Sequence, residues 1–153
     1  MLGHAIDEPD IKSALESFGI DIGVEIKLPE DEYTAYLERK ADGYCFVFTD
    51  EAMFLNISDQ RVGEGPLFFS GVFFYAEGKD GYSRYKGDLP VGLDFSFTRN
   101  EILNGLGQPT AQRMRDDGSI IGDRWELPNY FVSVTYSKNN NNPVLVSLFV
   151  PRH

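Results

Sequence analysis

Carboxylates are the most numerous side chains in this sequence that could do chemistry, with 24 aspartates and glutamates in 153 residues. Two carboxylates held close together form the machinery of many hydrolases, in which one is the general acid and the other the base or nucleophile. In so acidic a chain, neighbouring pairs also arise by chance, and surface solubility explains any single pair more simply. A hydrolase with paired carboxylates therefore stays an alternative, and no residue is assigned as catalytic.

Nucleophile and metal chemistry have few candidate residues. The single cysteine, Cys45, lies between Tyr44 and Phe46 with no basic residue nearby in sequence to ionise it, so we expect a buried, inert thiol. The two histidines, His4 and His153, stand at the ends of the sequence, and no Cys or His spacing resembles a zinc site. The sequence predicts a protein that is not an enzyme and that holds no metal or cofactor.

Charge is distributed unevenly along the sequence. The first sixty residues contain fourteen carboxylates and four Lys or Arg, a net charge of −10, whereas the remaining residues balance ten against ten. A field of one sign attracts partners of the opposite sign and repels nucleic acid and anionic lipid. The sequence also contains no phosphate-binding glycine loop and no uncancelled basic patch. These features favour a basic protein as the partner and exclude nucleic acid and membranes.

Two groups of residues are candidates for contacts with such a partner. Acidic residues at the ends of predicted strands can project toward it, and tyrosines beside a loop with basic residues are typical of protein interfaces. The same tyrosines are equally typical of strand ends. The predicted contact residues are Glu30, Asp31, Glu32, Asp50, Glu51, Tyr82 and Tyr85.

Two short helices are predicted among the elements that position these residues. The first covers residues 9–18, where an apolar stripe includes Leu15 and Phe18. The second follows Thr98, whose spacing to Glu101 is that of a capping box, and ends at a Leu-Gly-Gln-Pro sequence that cannot continue a helix.

Alternation of apolar and polar residues predicts the strands. We predict an α+β fold in which an antiparallel sheet carries short helices on one face. The length suits one domain of residues 1–153, and two tandem repeats at residues 7–77 and 88–153 are an alternative within it. Residues 33–39 are ambiguous, and residues 76–85 are predicted to form an exposed loop. The predicted strands cover residues 21–28, 44–49, 67–75, 130–136 and 144–150, the last two forming a hairpin around a turn at residues 139–142.

The sequence also bears on the cellular compartment. It begins without the basic and apolar regions of a secretion signal and contains no run of eighteen apolar residues. A single cysteine fits a reducing environment. We therefore expect a cytoplasmic protein.

Three segments in the second half resemble small bacterial immunity proteins. They are residues 85–93 (YKGDLPVGL), residues 97–109 with their LGQP ending, and residues 123–130 (DRWELPNY) followed by an alternating strand. The helix before a hairpin is also similar to one repeat of the small-lipoprotein and β-lactamase-inhibitor-protein architecture. The resemblance begins at Tyr85 and covers about sixty-five residues.

Immunity proteins of this kind neutralise the toxin domains of polymorphic, contact-dependent or type VI secretion systems, and the resemblance implies that function here. Many such toxins are nucleases with basic substrate grooves, which an acidic inhibitor binds quickly because opposite charges steer the encounter. The resemblance assigns no contact residue, since immunity proteins diverge with their toxins. We therefore expect an immunity protein for a cognate basic toxin domain. The alternatives are a non-catalytic adaptor or chaperone-like binding module and, less favoured, the carboxylate-pair hydrolase.

Overall fold

The structure is a computed structural model that describes residues 2–139 and 141–151. Asn140, in the predicted turn, and His153 lie outside the described residues. The strands are β1 (Thr34–Arg39), β2 (Tyr44–Asp50), β3 (Leu67–Tyr75), β4 (Ala111–Met114), β5 (Ile120–Glu126), β6 (Phe131–Tyr136) and β7 (Pro143–Phe149). The helices are α1 (Pro9–Ser17), α2 (Ile22–Glu25), α3 (Glu51–Phe54) and α4 (Arg99–Leu106), with short 3-10 turns at Lys79–Gly81 and Pro90–Gly92.

The seven strands form one antiparallel sheet in the order β1-β2-β3-β7-β6-β5-β4. The last strand in the sequence, β7, lies between β3 and β6 in this order. The seven-stranded sheet and its short helices confirm the predicted α+β class. Within the described residues, every helix is too short or too polar to cross a bilayer.

The chain forms two compact units, and each is assembled from separate stretches of sequence. The boundaries of these units differ from those of the tandem repeats predicted at residues 7–77 and 88–153, and the repeats stay a prediction. Unit 1 comprises Met1–Glu38, Phe46–Gly71 and Phe149–His153, and unit 2 comprises Arg39–Cys45 and Val72–Leu148.

The core of unit 1 is rich in phenylalanine. Ile11 and Leu15 of α1 are buried, as the apolar stripe predicted. Phe48 and Phe69 pack edge to face with ring centroids 5.3 Å apart. The prediction that Phe18 extends the buried stripe is wrong, because α1 ends one residue earlier and leaves this side chain 54% exposed.

The strand predicted over residues 21–28 is also wrong. In α2, the backbone N–H of Glu25 donates to Asp21 O at 2.7 Å, and the backbone N–H of Asp21 donates to the Glu25 carboxylate at 2.7 Å. These two bonds close a helical turn. The backbone N–H groups of Asp21 and Glu25 therefore find acceptors within the turn and not on a neighbouring strand. Val24, which the strand pattern placed inside, is exposed. The ambiguous residues 33–39 provide the strand β1 instead.

The core of unit 2 joins α4 to three strands. Ile102 of α4 is buried in one cluster with Trp125 of β5, Val134 of β6 and Val146 of β7. The indole Nε1 of Trp125 donates to Gly107 O at 3.1 Å, so a core side chain also satisfies a carbonyl at the end of the helix.

Both ends of α4 follow the sequence prediction. The backbone N–H of Glu101 donates to Thr98 Oγ1 at 3.2 Å, and the backbone N–H of Thr98 donates to Glu101 Oε1 at 3.1 Å. This reciprocal pair is the predicted capping box. Gly107 adopts a φ of +81°, and its N–H donates to Leu103 O at 2.8 Å. Residues within the helix and next to it therefore determine where it begins and ends.

Hairpins build the second half of the sheet. The predicted neighbours β6 and β7 are adjacent in the strand order. The strand β4 is an addition that the sequence pattern did not indicate. It pairs with β5 through Ala111 opposite Arg124 and Arg113 opposite Gly122, with a register shift between Arg113 and Met114.

The substitution Thr98→Ala is expected to lower the free energy of unfolding by about 1 kcal/mol, because a helix amide loses its acceptor. For a chain of this size, that loss corresponds to a fall in Tm of about 2–4 °C, which calorimetry can measure. Thr98→Ser keeps the hydroxyl and serves as the control. Equal Tm values for the Ala and Ser variants would contradict a stabilising cap.

Candidate protein-binding surface

The whole net charge of the chain falls in unit 1. This unit contains 14 carboxylates and four Lys or Arg, whereas unit 2 contains ten of each. Among the described residues of unit 1, eleven carboxylate residues are exposed, against three exposed cations, Lys12, Lys27 and Arg61. The asymmetry found along the sequence is therefore carried by one compact part of the fold.

Three of the predicted contact residues, Glu30, Asp31 and Glu32, form the turn that leads into β1, and we call them the acidic turn. All three are exposed. The N–H of Glu32 donates to Pro29 O at 3.2 Å, and Asp31 has a φ of +63°, so backbone geometry shapes the turn. Within residues 2–139 and 141–151, no ion pair ties these three carboxylates to a cation. They are accessible to solvent, and their contact with a partner stays a prediction.

The prediction that Asp50 contacts a partner is wrong, because its side chain is fully buried. Its Oδ2 accepts from the N–H of Ala52 at 3.0 Å, and its Oδ1 accepts from the N–H of Gly63 at 2.8 Å. Asp50 is thus the N-cap of α3. An aspartate at this position satisfies a helix amide and stabilises the fold instead of projecting outward.

Glu51, the next residue, is half-buried. Its Oε1 accepts from Gln60 Nε2 at 2.9 Å. A Cβ at Gly65 would lie only 2.5 Å from the same oxygen, so the glycine makes room for this carboxylate. Glu51 therefore has internal contacts, and its contact with a partner stays a prediction.

The prediction for Tyr82 is wrong as well, since the side chain is only 3% exposed. Its ring stacks on Tyr75, with centroids 3.7 Å apart and 9° between the planes. Lys40 Nζ lies 5.8 Å from the centroid of the Tyr82 ring. Cys45 packs in the same cluster as a buried thiol, as expected. The predicted exposed loop at residues 76–85 is therefore anchored by a tyrosine inside unit 2.

Tyr85 is half-buried at the end of that loop. Its ring centroid lies 6.2 Å from that of Tyr44 and 4.6 Å from that of Phe74. The N–H of Tyr85 donates to Tyr75 O at 2.9 Å. Part of the residue is accessible, and its contact with a partner stays a prediction.

The sequence interpretation missed two exposed tyrosines of unit 1. Tyr33 is 40% and Tyr36 is 61% exposed, and both line a cavity of about 240 Å³. The buried residues Thr49 and Ser70 also line it, and Thr49 Oγ1 donates to Ser70 Oγ at 2.7 Å. The alternation over residues 33–39 was the signal that could have placed Tyr36 on the exposed side of a strand.

A second cavity, of about 250 Å³, lies in unit 2 and contains two carboxylates, Asp88 and Asp94. The backbone N–H of Ser96 donates to Asp94 Oδ1 at 2.8 Å. This bond and a side-chain bond from the same serine lower the pKa of Asp94. A general acid needs the opposite shift, so Asp94 does not suit that role in the hydrolase alternative. In the part of the chain that the structure describes, no three His, Cys, Asp or Glu side chains gather as metal ligands would.

Asp123 is a fully buried carboxylate with a structural role. Arg99 donates from Nε to Oδ2 at 2.8 Å and from Nη2 to Oδ1 at 3.2 Å. The Tyr136 hydroxyl donates to Oδ2 at 2.8 Å. The hydrogen bond to Asp123 raises the pKa of Arg99, and burial followed by the bond to Asp123 raises the pKa of Tyr136. Both groups keep their protons, and the network ties α4 to β5 and β6.

No family model matches the chain, and comparison with curated proteins and with solved structures gave no significant match.

Proposed function

We propose that this chain is an immunity protein that binds and neutralises a cognate basic toxin domain through the acidic surface of unit 1. The observation that carries the proposal is the confinement of the net charge of −10 to that unit. A nuclease toxin has a positively charged substrate groove, and an acidic surface is complementary to it. The resemblance of the second half of the sequence to immunity proteins supports the same function.

Exposed apolar side chains on unit 1 support a protein as the partner. Tyr33, Tyr36, Phe18 and Val24 are all exposed there. Aromatic anchors supply much of the binding energy of protein interfaces, whereas charge mainly sets the association rate and the choice of partner. Unit 1 offers both kinds of group.

A growth assay tests the function directly. The assay applies where a gene beside that of this chain encodes a large secreted protein, whose C-terminal domain is induced in a host, alone and together with this chain. We expect growth to stop with the domain alone and to recover when the chain is present. A toxic domain that is not neutralised would overturn the proposal. A domain that binds the chain but is harmless alone would favour the adaptor alternative.

Charge reversal of the acidic turn is expected to slow association with the toxin domain by about 10–100-fold at low salt. The variant carries Glu30→Lys, Asp31→Lys and Glu32→Lys, whose side chains are exposed and outside the core. Stopped-flow mixing at increasing salt measures the rate. The difference from the wild type should vanish near 1 M salt, where the Debye length is about 3 Å.

A matched variant controls for total charge. Asp80→Lys, Asp88→Lys and Asp116→Lys change the net charge equally, but these exposed residues belong to unit 2. We expect this variant to retain most of the wild-type association rate. Equal slowing in both triple variants would show that total charge, and not the surface of unit 1, steers the encounter.

A further inference from the structure

The edge of the sheet at β1 is open. β1 stands first in the strand order, so within the described part of the chain it has a strand neighbour on its β2 side alone. The N–H of Asp50 donates to Tyr33 O at 2.9 Å, which directs residue 33 toward β2. Because an antiparallel pair alternates, the backbone N–H and C=O groups of Thr34, Tyr36 and Glu38 face away from β2. These residues present a row of donors and acceptors at the edge.

The opposite edge of the sheet has features that discourage pairing. β4 has four residues, and its register shifts between Arg113 and Met114. Short length, irregularity and charged side chains are the means by which edge strands avoid unwanted partners. β1 is longer, with six residues, and its central Tyr36 is among the most exposed large side chains of the protein. The comparison indicates that β1 is the edge available to a partner.

The surroundings of β1 define what could pair with it. The acidic turn precedes the strand, and Glu38 is exposed on the strand itself. An incoming segment with Lys or Arg side chains would meet opposite charge there. The cavity beside Tyr33 and Tyr36 offers about 240 Å³ next to the strand, which is room for an apolar side chain of that segment.

We propose that the β1 edge binds an extended, Lys- or Arg-bearing segment of the toxin domain as an added strand. The basic side chains lie beside the acidic turn, and one apolar side chain enters the cavity at Tyr33 and Tyr36. Backbone hydrogen bonds give the affinity in this mode of recognition, and side-chain pockets give the specificity. The inference rests on the proposed function, because the toxin domain supplies the segment.

Amide hydrogen exchange of the full chain, alone and with the toxin domain of the growth assay, tests the inference. We expect exchange at Thr34, Tyr36 and Glu38 to slow at least about tenfold in the complex, because these amides gain acceptors. The β4 amide of Arg113 is the internal control and should not change. A complex with unchanged exchange at β1 would overturn the inference and leave the proposed function intact. Absence of binding by the wild-type chain would overturn both.

Substitutions at Tyr36 provide a second test. Tyr36→Pro removes an N–H that faces away from β2, a position where an edge strand tolerates proline. We expect the affinity to fall about tenfold or more, since a hydrogen bond is lost and the added strand is obstructed. Tyr36→Phe keeps the N–H and the ring, so its affinity should stay within about threefold of the wild type.

A third variant keeps the test decisive if proline disturbs folding. Tyr36→Lys retains the backbone and places a cation in front of the basic segment, so we expect a similar loss of affinity. Wild-type affinity in a folded Tyr36→Lys variant would overturn the inference. A chain that dimerises without the toxin domain, with the same three amides protected, would assign the edge to a second copy and would also overturn it.

Discussion

Replacement of Arg99 by methionine is expected to lower the free energy of unfolding by about 3–5 kcal/mol. The substitution leaves the fully buried carboxylate of Asp123 with the Tyr136 hydroxyl and without its cation. A buried charge that loses its counter-ion keeps the desolvation penalty and loses the attraction that offset it. Urea denaturation of the isolated chain measures the change.

A neighbouring ion pair offers the control for this substitution. Arg124 Nη2 lies 3.1 Å from Glu126 Oε2, and the Arg124 side chain is 46% exposed. Arg124→Met removes the same chemical group from a solvated pair, so we expect a loss of at most about 1 kcal/mol. Equal losses in the two variants would contradict the structural role of the Arg99–Asp123 pair.

The second large effect is expected at Gly43, in the turn between β1 and β2. Its φ is +82°, and its carbonyl accepts from the N–H of Tyr75 at 2.9 Å. A Cβ at this position would lie 2.5 Å from Ser83 O and 2.7 Å from Arg84 C, and closer still to Tyr85 N. Gly43→Ala therefore combines an unfavourable φ with a clash against backbone, and we expect a loss of about 2–4 kcal/mol.

Gly78→Ala separates these two causes. Gly78 has a φ of +81°, but a Cβ there would meet nothing within 4 Å. Only the backbone strain applies, so thermal denaturation should show a loss of about 1 kcal/mol. If Gly43→Ala destabilises the chain no more than Gly78→Ala, the close packing of the loop on the turn is not a determinant of stability.

The sequence predicts those helices and strands whose bounds depend on residues close together in the chain. α4 is an example, since Thr98, Glu101 and Gly107 define both of its ends. The strand wrongly placed at residues 21–28 has a strand's alternation, but the Glu25 carboxylate closes a helical turn there, and alternation does not reveal that bond. The strand β4 has no apolar alternation and is ordered by its pairing with β5.

In the candidate site too, the features that depend on contacts between distant residues could not be predicted from the sequence. The exposure of the acidic turn follows from its Pro-Glu-Asp-Glu sequence, which predicts a turn. Asp50 was misjudged because its orientation depends partly on the N–H of Gly63, thirteen residues later. Tyr82 was misjudged because its burial depends on stacking against Tyr75 across a loop. Charge and composition predict where carboxylates are abundant, but tertiary contacts decide which of them remain available.

The position of β7 has a consequence for synthesis of the chain. Six strands leave the ribosome before the strand that belongs between β3 and β6. Until then, the native strand pairings available to the nascent chain form two three-stranded sheets, which together have four unpaired edges where the complete sheet has two. One of these edges is β3, nine residues with the largely apolar sequence LFFSGVFFY. Translation that stops before residue 143 would leave one edge of this strand unpaired and prone to aggregation.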